Sequence, residues 1–125
     1  MPKTQFKIAF FELEPWEKEY FIKNLEGCEL KFIDDHLDEN NASQANDVDA
    51  VGVFIYSLLN KKILEKLPNL KLIVTLSTGF DHVDLKECRK RKITVCNVPH
   101  YGENTVAEHT FALILNLTRK IHKAY

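Results

Sequence analysis

From its first residues the chain alternates short apolar runs with amphipathic stretches. Residues 8–11 form a compact apolar run that Glu12 and Pro15 interrupt, and residues 15–25 then space Trp16, Tyr20, Phe21 and Leu25 along one face of a helix. Proline suits the first turn of that helix, and Gly27 its C-terminal stop. A second strand is predicted at residues 30–33. The polar stretch 34–47 reads as loop or a weak short helix, since its acidic residues lack the alternation and central glycine of a calcium loop. Residues 50–55 are almost continuously apolar, the pattern of a strand covered on both faces. A short helix at 61–67, a strand at 72–76, a helix opened by Asp84 and a strand at 93–98 ended by Pro99 complete the alternation. The basic residues Lys86, Arg89, Lys90, Arg91 and Lys92 read as a solvated last turn of the Asp84 helix, complementing its dipole.

Strands separated by helical connections predict a parallel five-stranded α/β sheet with helices on both faces, right-handed crossovers and the flavodoxin-like strand order 2-1-3-4-5. The segment from Glu103 to Ala124 is of another kind. It is helical in pattern, but Val106, Phe111, Leu113, Ile114, Leu115 and Leu117 spread apolar surface around most of its circumference. A helix apolar on most sides must be covered on most sides, and a sheet covers only one of them. The remainder is expected to pack on a further domain or another subunit.

Composition changes this picture little. For 125 residues and 14.5 kDa, an unfolded surface of roughly 21,000 Å² should shrink to about 7,000 Å², ample burial for one core. Seventeen basic residues face eighteen acidic ones, a net charge of -1, so no positive field draws nucleic acid or anionic lipid. Cys28, Cys88 and Cys96 are far apart, with no Cys-x-x-Cys spacing, and read as buried reduced thiols of a cytosolic protein. The apolar run near the N-terminus is broken by Glu12 and Glu14 before it makes a signal-peptide core, and no stretch approaches the ~20 residues that span a bilayer. A soluble, cytoplasmic protein without nucleic-acid or membrane partners is expected.

Ligands of open α/β sheets bind at the carboxyl ends of the strands. One segment there is TLSTGFDHVD at residues 75–84, where Gly79 permits backbone angles that L-residues avoid and lets consecutive N–H groups converge on an anion such as a small carboxylate. A plain strand-to-helix turn explains the same residues. The other is NVPHYGENTV at residues 97–106, in which Tyr101 offers a phenol, Gly102 turns the chain, and Asn104 or Thr105 can cap the long helix. Rival sites are weaker. There is no Gly-x-Gly-x-x-Gly, Walker or Gly-x-Ser-x-Gly pattern, and Ser77 has no identifiable base. His82, His100 and His109 read as solvent-facing or structurally hydrogen-bonded, and the Glu108-His109 pair lacks the second histidine of a zinc motif.

STGFDHVDL at residues 77–85, followed by ITVCNVPHYGENTVAEHTFALILNLTRK at 93–120, closely resembles the N-terminal part of the NAD-dependent D-isomer-specific 2-hydroxyacid dehydrogenases, in particular the D-lactate dehydrogenase branch. The first half of the chain matches only in its β-α rhythm. The resemblance implies that Thr78 and Gly79 present N–H groups to the carboxylate of a small 2-oxoacid, that Tyr101 lies over the same substrate, and that Thr105 and Val106 approach the nicotinamide end of NAD. It also implies a division into residues 1–102, part of a substrate domain, and residues 103–125, the helix leading into an NAD-binding Rossmann domain. The family's Arg, His and Glu, and its glycine fingerprint for NAD, belong to a region after this chain, so none of its histidines takes the catalytic role. The chain alone is expected to be inactive and to associate through its apolar helix, and a homodimer is the expected form of the whole enzyme. A non-catalytic α/β binding or interaction module on the same fold is the alternative.

Overall fold

Strands form where the apolar runs lie, and residues 5–124 are described in the computed structural model. In chain order they are β1 (Phe6–Phe11), α1 (Pro15–Asn24), β2 (Cys28–Ile33), β3 (Ala50–Val53), α2 (Lys61–Glu65), β4 (Leu72–Thr75), α3 (Leu85–Lys90), β5 (Thr94–Cys96) and α4 (Thr105–Arg119). Single 3₁₀ turns occupy Ala42–Ala45, inside the polar connection, and Ile121–Lys123. The sheet is parallel throughout in the order β2-β1-β3-β4-β5, as the alternation predicts. Local chemistry sets the helix ends. Pro15 opens α1 while the Glu17 carboxylate accepts the Glu14 N–H at 2.8 Å, and Gly27 turns the chain at φ 86°. Asn60 and Asp84 cap α2 and α3 by accepting from Ile63 and Glu87.

The register places Ala9, Val51, Ile73 and Val95 on one face and Phe10, Gly52, Val74 and Cys96 on the other. On the first face Ala9, Phe11, Val51 and Ile73 join Ile63, Leu64 and Leu67 around α2, and Cys88 of α3, in one buried cluster. On the second, Phe21 of α1 stacks on Phe10 with ring centroids 4.2 Å apart, and Phe32 lies alongside at 5.9 Å. Gly52 permits this. A Cβ at that position would stand 2.4 Å from the Phe10 ring, so the glycine is a steric requirement of the β1–β3 contact.

Several expectations change. β3 ends at Val53, because the Phe54 N–H turns to the Glu12 carboxylate instead of continuing the sheet. Arg91 is not part of a solvated turn: its guanidinium donates to the carbonyls of Leu64 and Leu67, closing the end of α2. Of the three free thiols only Cys88 is buried, with its pKa pushed up by burial; Cys28 is half-buried and Cys96 is exposed on the edge strand. α4 buries no residue, so the sheet covers none of its faces rather than one. The accessible surface reflects this, at 9086 Å² against the roughly 7,000 Å² of a compact chain of this mass. The expected domain limits at Met1 and Tyr125 lie outside the described residues.

The N-terminal edge of the sheet is held by charge. Lys7 pairs with Asp47 at 2.8 Å and Lys31 with the same carboxylate at 3.3 Å, while Asp49 accepts the Lys7 N–H and pairs with Lys71 at 2.6 Å. Hydrogen bonds from Lys7 and Lys31 hold Asp47 at about 2, and Lys71 lowers Asp49.

Two predictions follow the packing and the charges. Gly52→Ala should destabilise the domain by about 1–3 kcal/mol in chemical denaturation, because the Phe10 ring must move off its stack. Both aspartates have folded pKa values below the ordinary 3.8, so their contribution is complete above that value and fades as the pH falls toward 2. Asp47→Asn should lower the neutral-pH plateau of a stability-against-pH curve by the loss of its two surface pairs, with Lys7 and Lys31, and flatten the acid limb.

Candidate functional site

At the opposite, C-terminal edge the pairing of β4 with β5 stops at Val74 and Cys96, and side chains take over. Thr75 Oγ1 lies 3.4 Å from the carbonyls of Ser77 and Cys96. The Val98 N–H donates to the Ser77 carbonyl at 3.0 Å, Thr78 Oγ1 donates to the Val98 carbonyl at 2.9 Å, and Asn97 Nδ2 donates to the Thr78 carbonyl at 2.8 Å. The loop's far end is tied to the segment after β3: Leu59 N–H donates to the His82 carbonyl and Asp84 N–H to the Leu59 carbonyl, as part of a parallel bridge between Leu59 and Val83. These bonds use the carbonyls and side chains of the loop. Among the described residues the N–H groups of Thr78 and Gly79 donate to no protein acceptor.

A cavity of about 420 Å³ opens beside this loop, lined by Thr78, Pro99, Tyr101, Gly102, Glu103, Thr105 and Val106. Its volume lies in the range of small-molecule sites, roughly 300–1,000 Å³. It brings together Thr78, Tyr101, Thr105 and Val106 from both segments chosen in the sequence. Gly79 lies in the adjoining loop and does not line it. Nor does Gly79 adopt the left-handed backbone: the only glycine with positive φ among the described residues is Gly27. A Cβ at Gly79 would meet one atom, Asp81 Oδ1 at 3.3 Å. The glycine therefore serves by leaving the backbone uncovered, not by adopting angles that other residues avoid.

The remaining candidates separate clearly. Tyr101 is well exposed, its ring free to meet a ligand. Asn104 occupies the N-cap position of α4, but its side chain makes no capping bond. Ser77 Oγ is spent on the Gly79 carbonyl at 2.8 Å. His82 departs from expectation, since its Nε2 is buried without a partner rather than solvated or hydrogen-bonded. His100 pairs with Glu103 through Nδ1 on the exposed turn around Tyr101, and His109 is exposed on α4. Asn97, inside the strand expected at 93–98, carries no motif that marks it as the tie between the two loops. No metal-binding group of three or more His, Cys, Asp or Glu occurs among the described residues, and no helix there is long and apolar enough to cross a membrane.

Comparison with known proteins adds an independent line. The family profile of the D-isomer specific 2-hydroxyacid dehydrogenase catalytic domain matches residues 8–123. A 2-hydroxyacid dehydrogenase homolog 1 of Schizosaccharomyces pombe is 39% identical over 123 residues, 95% of this chain and 37% of that protein. The D-lactate dehydrogenase of Escherichia coli is 33% identical over the same shares. Among solved structures, D-lactate dehydrogenase from Aquifex aeolicus complexed with NAD and lactic acid superposes with a TM-score of 0.84 at 33% identity, covering 94% of this chain and 35% of that one. The chain thus spans little more than a third of the length of these relatives.

Removing the Asn97 tie tests the geometry of the edge. Asn97→Ala should cost about 1 kcal/mol and speed amide exchange at Val98, while the Lys7 N–H bond to Asp49 at the far edge stays protected.

Proposed function

This chain belongs to the family of D-isomer specific 2-hydroxyacid dehydrogenases, and from that premise we propose that it is the substrate-anchoring part of an enzyme interconverting a small 2-oxoacid, such as pyruvate, and the D-2-hydroxyacid. The observation that carries the reading is the run of N–H groups from Ser77 to His82, Thr78 and Gly79 among them, that donate to no protein acceptor among the described residues, with Thr78 bordering a cavity that Tyr101, Thr105 and Val106 also line. Two adjacent amides with no internal acceptor suit the carboxylate of the substrate. Tyr101 then covers the bound acid, and Thr105 and Val106, at the first turn of α4, face the nicotinamide end of the cofactor.

The chemistry is a two-electron exchange at C2. In the reducing direction NADH supplies hydride to the carbonyl carbon, and a proton completes the hydroxyl. This chain's residues bind and orient the acid. The Arg that holds the carboxylate and polarises the carbonyl, the His that carries the proton and the Glu that tunes it are assigned to residues outside it. Thr105 and Val106 fit contact with a cofactor rim, but no Gly-x-Gly-x-x-Gly turn is present in the sequence for the pyrophosphate. We therefore assign NAD mainly to a Rossmann domain into which residues 103–125 lead, with α4 as the crossing helix and residues 1–102 as part of the substrate domain. Cleft closure between the two would exclude water from the reacting carbonyl. The dimeric, cytoplasmic form expected from the sequence belongs to the same proposal.

Two measurements check this. The 125-residue chain should give no NADH oxidation with pyruvate, whereas the full-length protein should, with the D-hydroxyacid as product. In the full-length protein Gly79→Val should raise KM for the oxoacid about tenfold or more through loss of amide contact, with KM for NADH unchanged. A Cβ there meets the end of the Asp81 side chain at 3.3 Å, which must shift by a few tenths of an ångström. Equal losses for both ligands would place the carboxylate elsewhere.

A further inference from the structure

Glu103 stands in the turn between Pro99 and α4, and it borders two openings at once. One is the cavity of about 420 Å³ that Thr78 also lines. The other, of about 300 Å³, adds His100 and Asn104 to its wall. Tyr101, Gly102, Glu103 and Thr105 are common to both, so the two form one recess around the Tyr101 turn. Local bonds hold Glu103 there. The Thr105 N–H donates to the Gly102 carbonyl at 3.2 Å, and the Glu103 carboxylate pairs with His100 Nδ1 across the turn.

The fixed side-chain charges of this recess have one sign. Among the described residues that line it, Glu103 is the only carboxylate, and there is no Lys or Arg. Asp81, whose Oδ1 lies 3.3 Å from where a Cβ on Gly79 would stand, adds a second carboxylate beside the loop. His100 is engaged with Glu103 itself. The loop N–H groups can therefore serve one carboxylate of a ligand, but the lining offers no cation to a second. Charge acts over about 8 Å at physiological ionic strength, a distance on the order of the recess itself. Glu103 thus opposes a second anionic group wherever in the recess that group comes to lie.

We propose that Glu103 is a specificity-determining residue: its carboxylate selects 2-oxoacids with a single carboxylate and disfavours those that carry a further anionic group on the side chain. The inference rests on the carboxylate site proposed above and narrows its substrate class.

The test compares two acids of nearly equal shape in the full-length enzyme: oxaloacetate, with a carboxylate on C3, and 4-methyl-2-oxopentanoate, with an isopropyl group in its place. In Glu103→Gln the kcat/KM ratio of oxaloacetate to 4-methyl-2-oxopentanoate should rise about fivefold or more at low ionic strength, through KM. Glu103→Lys should raise it further. Both gains should shrink in about 1 M salt, where screening confines charge to ~3 Å. The substitutions fall on a largely exposed side chain, where changes are well tolerated by the fold. A role in shaping the turn alone would move both acids alike, and that parallel change overturns the proposal. So does an unchanged ratio, or a gain that salt leaves untouched. If Gly79→Val leaves the oxoacid KM unmoved while Glu103→Gln shifts the ratio, the carboxylate assignment fails and the charge selection stands. The reverse result keeps the carboxylate site and overturns the selection.

Discussion

A parallel sheet must dispose of the backbone groups left over where its strands stop pairing, and at the C-terminal edge no neighbouring strand is available to take them. In this protein the solution between β4 and β5 is asymmetric. The carbonyls of Ser77, Thr78, Gly79 and Val98 are taken by Val98 N–H, Asn97, Ser77 Oγ and Thr78 Oγ1, respectively. The N–H groups of Thr78 and Gly79 are left without a partner among the described residues. Satisfied acceptors therefore stand beside donors that are left open.

The two ends of the sheet are held by different physics. At the N-terminal edge, Lys7, Lys31 and Lys71 meet Asp47 and Asp49 in water-exposed pairs, which contribute little individually and weaken with salt and acid. At the C-terminal edge the ties are short-range hydrogen bonds, and the Glu12 carboxylate works through backbone donors rather than through a lysine. Between the edges the Phe10 ring lies over Gly52 and under Phe21, so the β1–β3 spacing is set by shape. A change in ionic conditions therefore acts first on the edge remote from the proposed chemistry.

Much of this was legible before any coordinates. Short apolar runs located the strands of the sheet, helical spacing and end signals its helices, and the alternation of the two implied the strand order. Strand ends were misjudged where a distant side chain captured the backbone: residues 54 and 55 look like the end of an apolar strand, but Glu12, forty-two positions earlier, takes the Phe54 N–H. Arg91 hides its role for the same reason, since its partners are the carbonyls of Leu64 in α2 and Leu67 just beyond it, more than twenty residues away. Thr78, Tyr101, Thr105 and Val106 could be chosen because each lies in one of two contiguous segments. The role of Gly79 could not, because a glycine that frees the backbone conformation and one that merely leaves it uncovered look alike in a sequence.

α4 carries the synthesis one step further. Its fifteen residues are near the length at which a helix in water is only marginally stable, about 12–15 residues even for favourable sequences. It buries no residue, while Val106, Phe111, Leu113 and Leu117 are all at least half exposed. The Thr78 side of the cavity, by contrast, is built into the sheet edge through Asn97 and Val98. The two walls thus differ in what fixes them: one is rigid by virtue of the fold already formed, and the other acquires a fixed place only when apolar surface covers its helix. In the proposed enzyme, anchoring of an acid at Thr78 and Gly79 can therefore precede completion of the site, while the placement of Thr105 and Val106 is coupled to whatever α4 packs against.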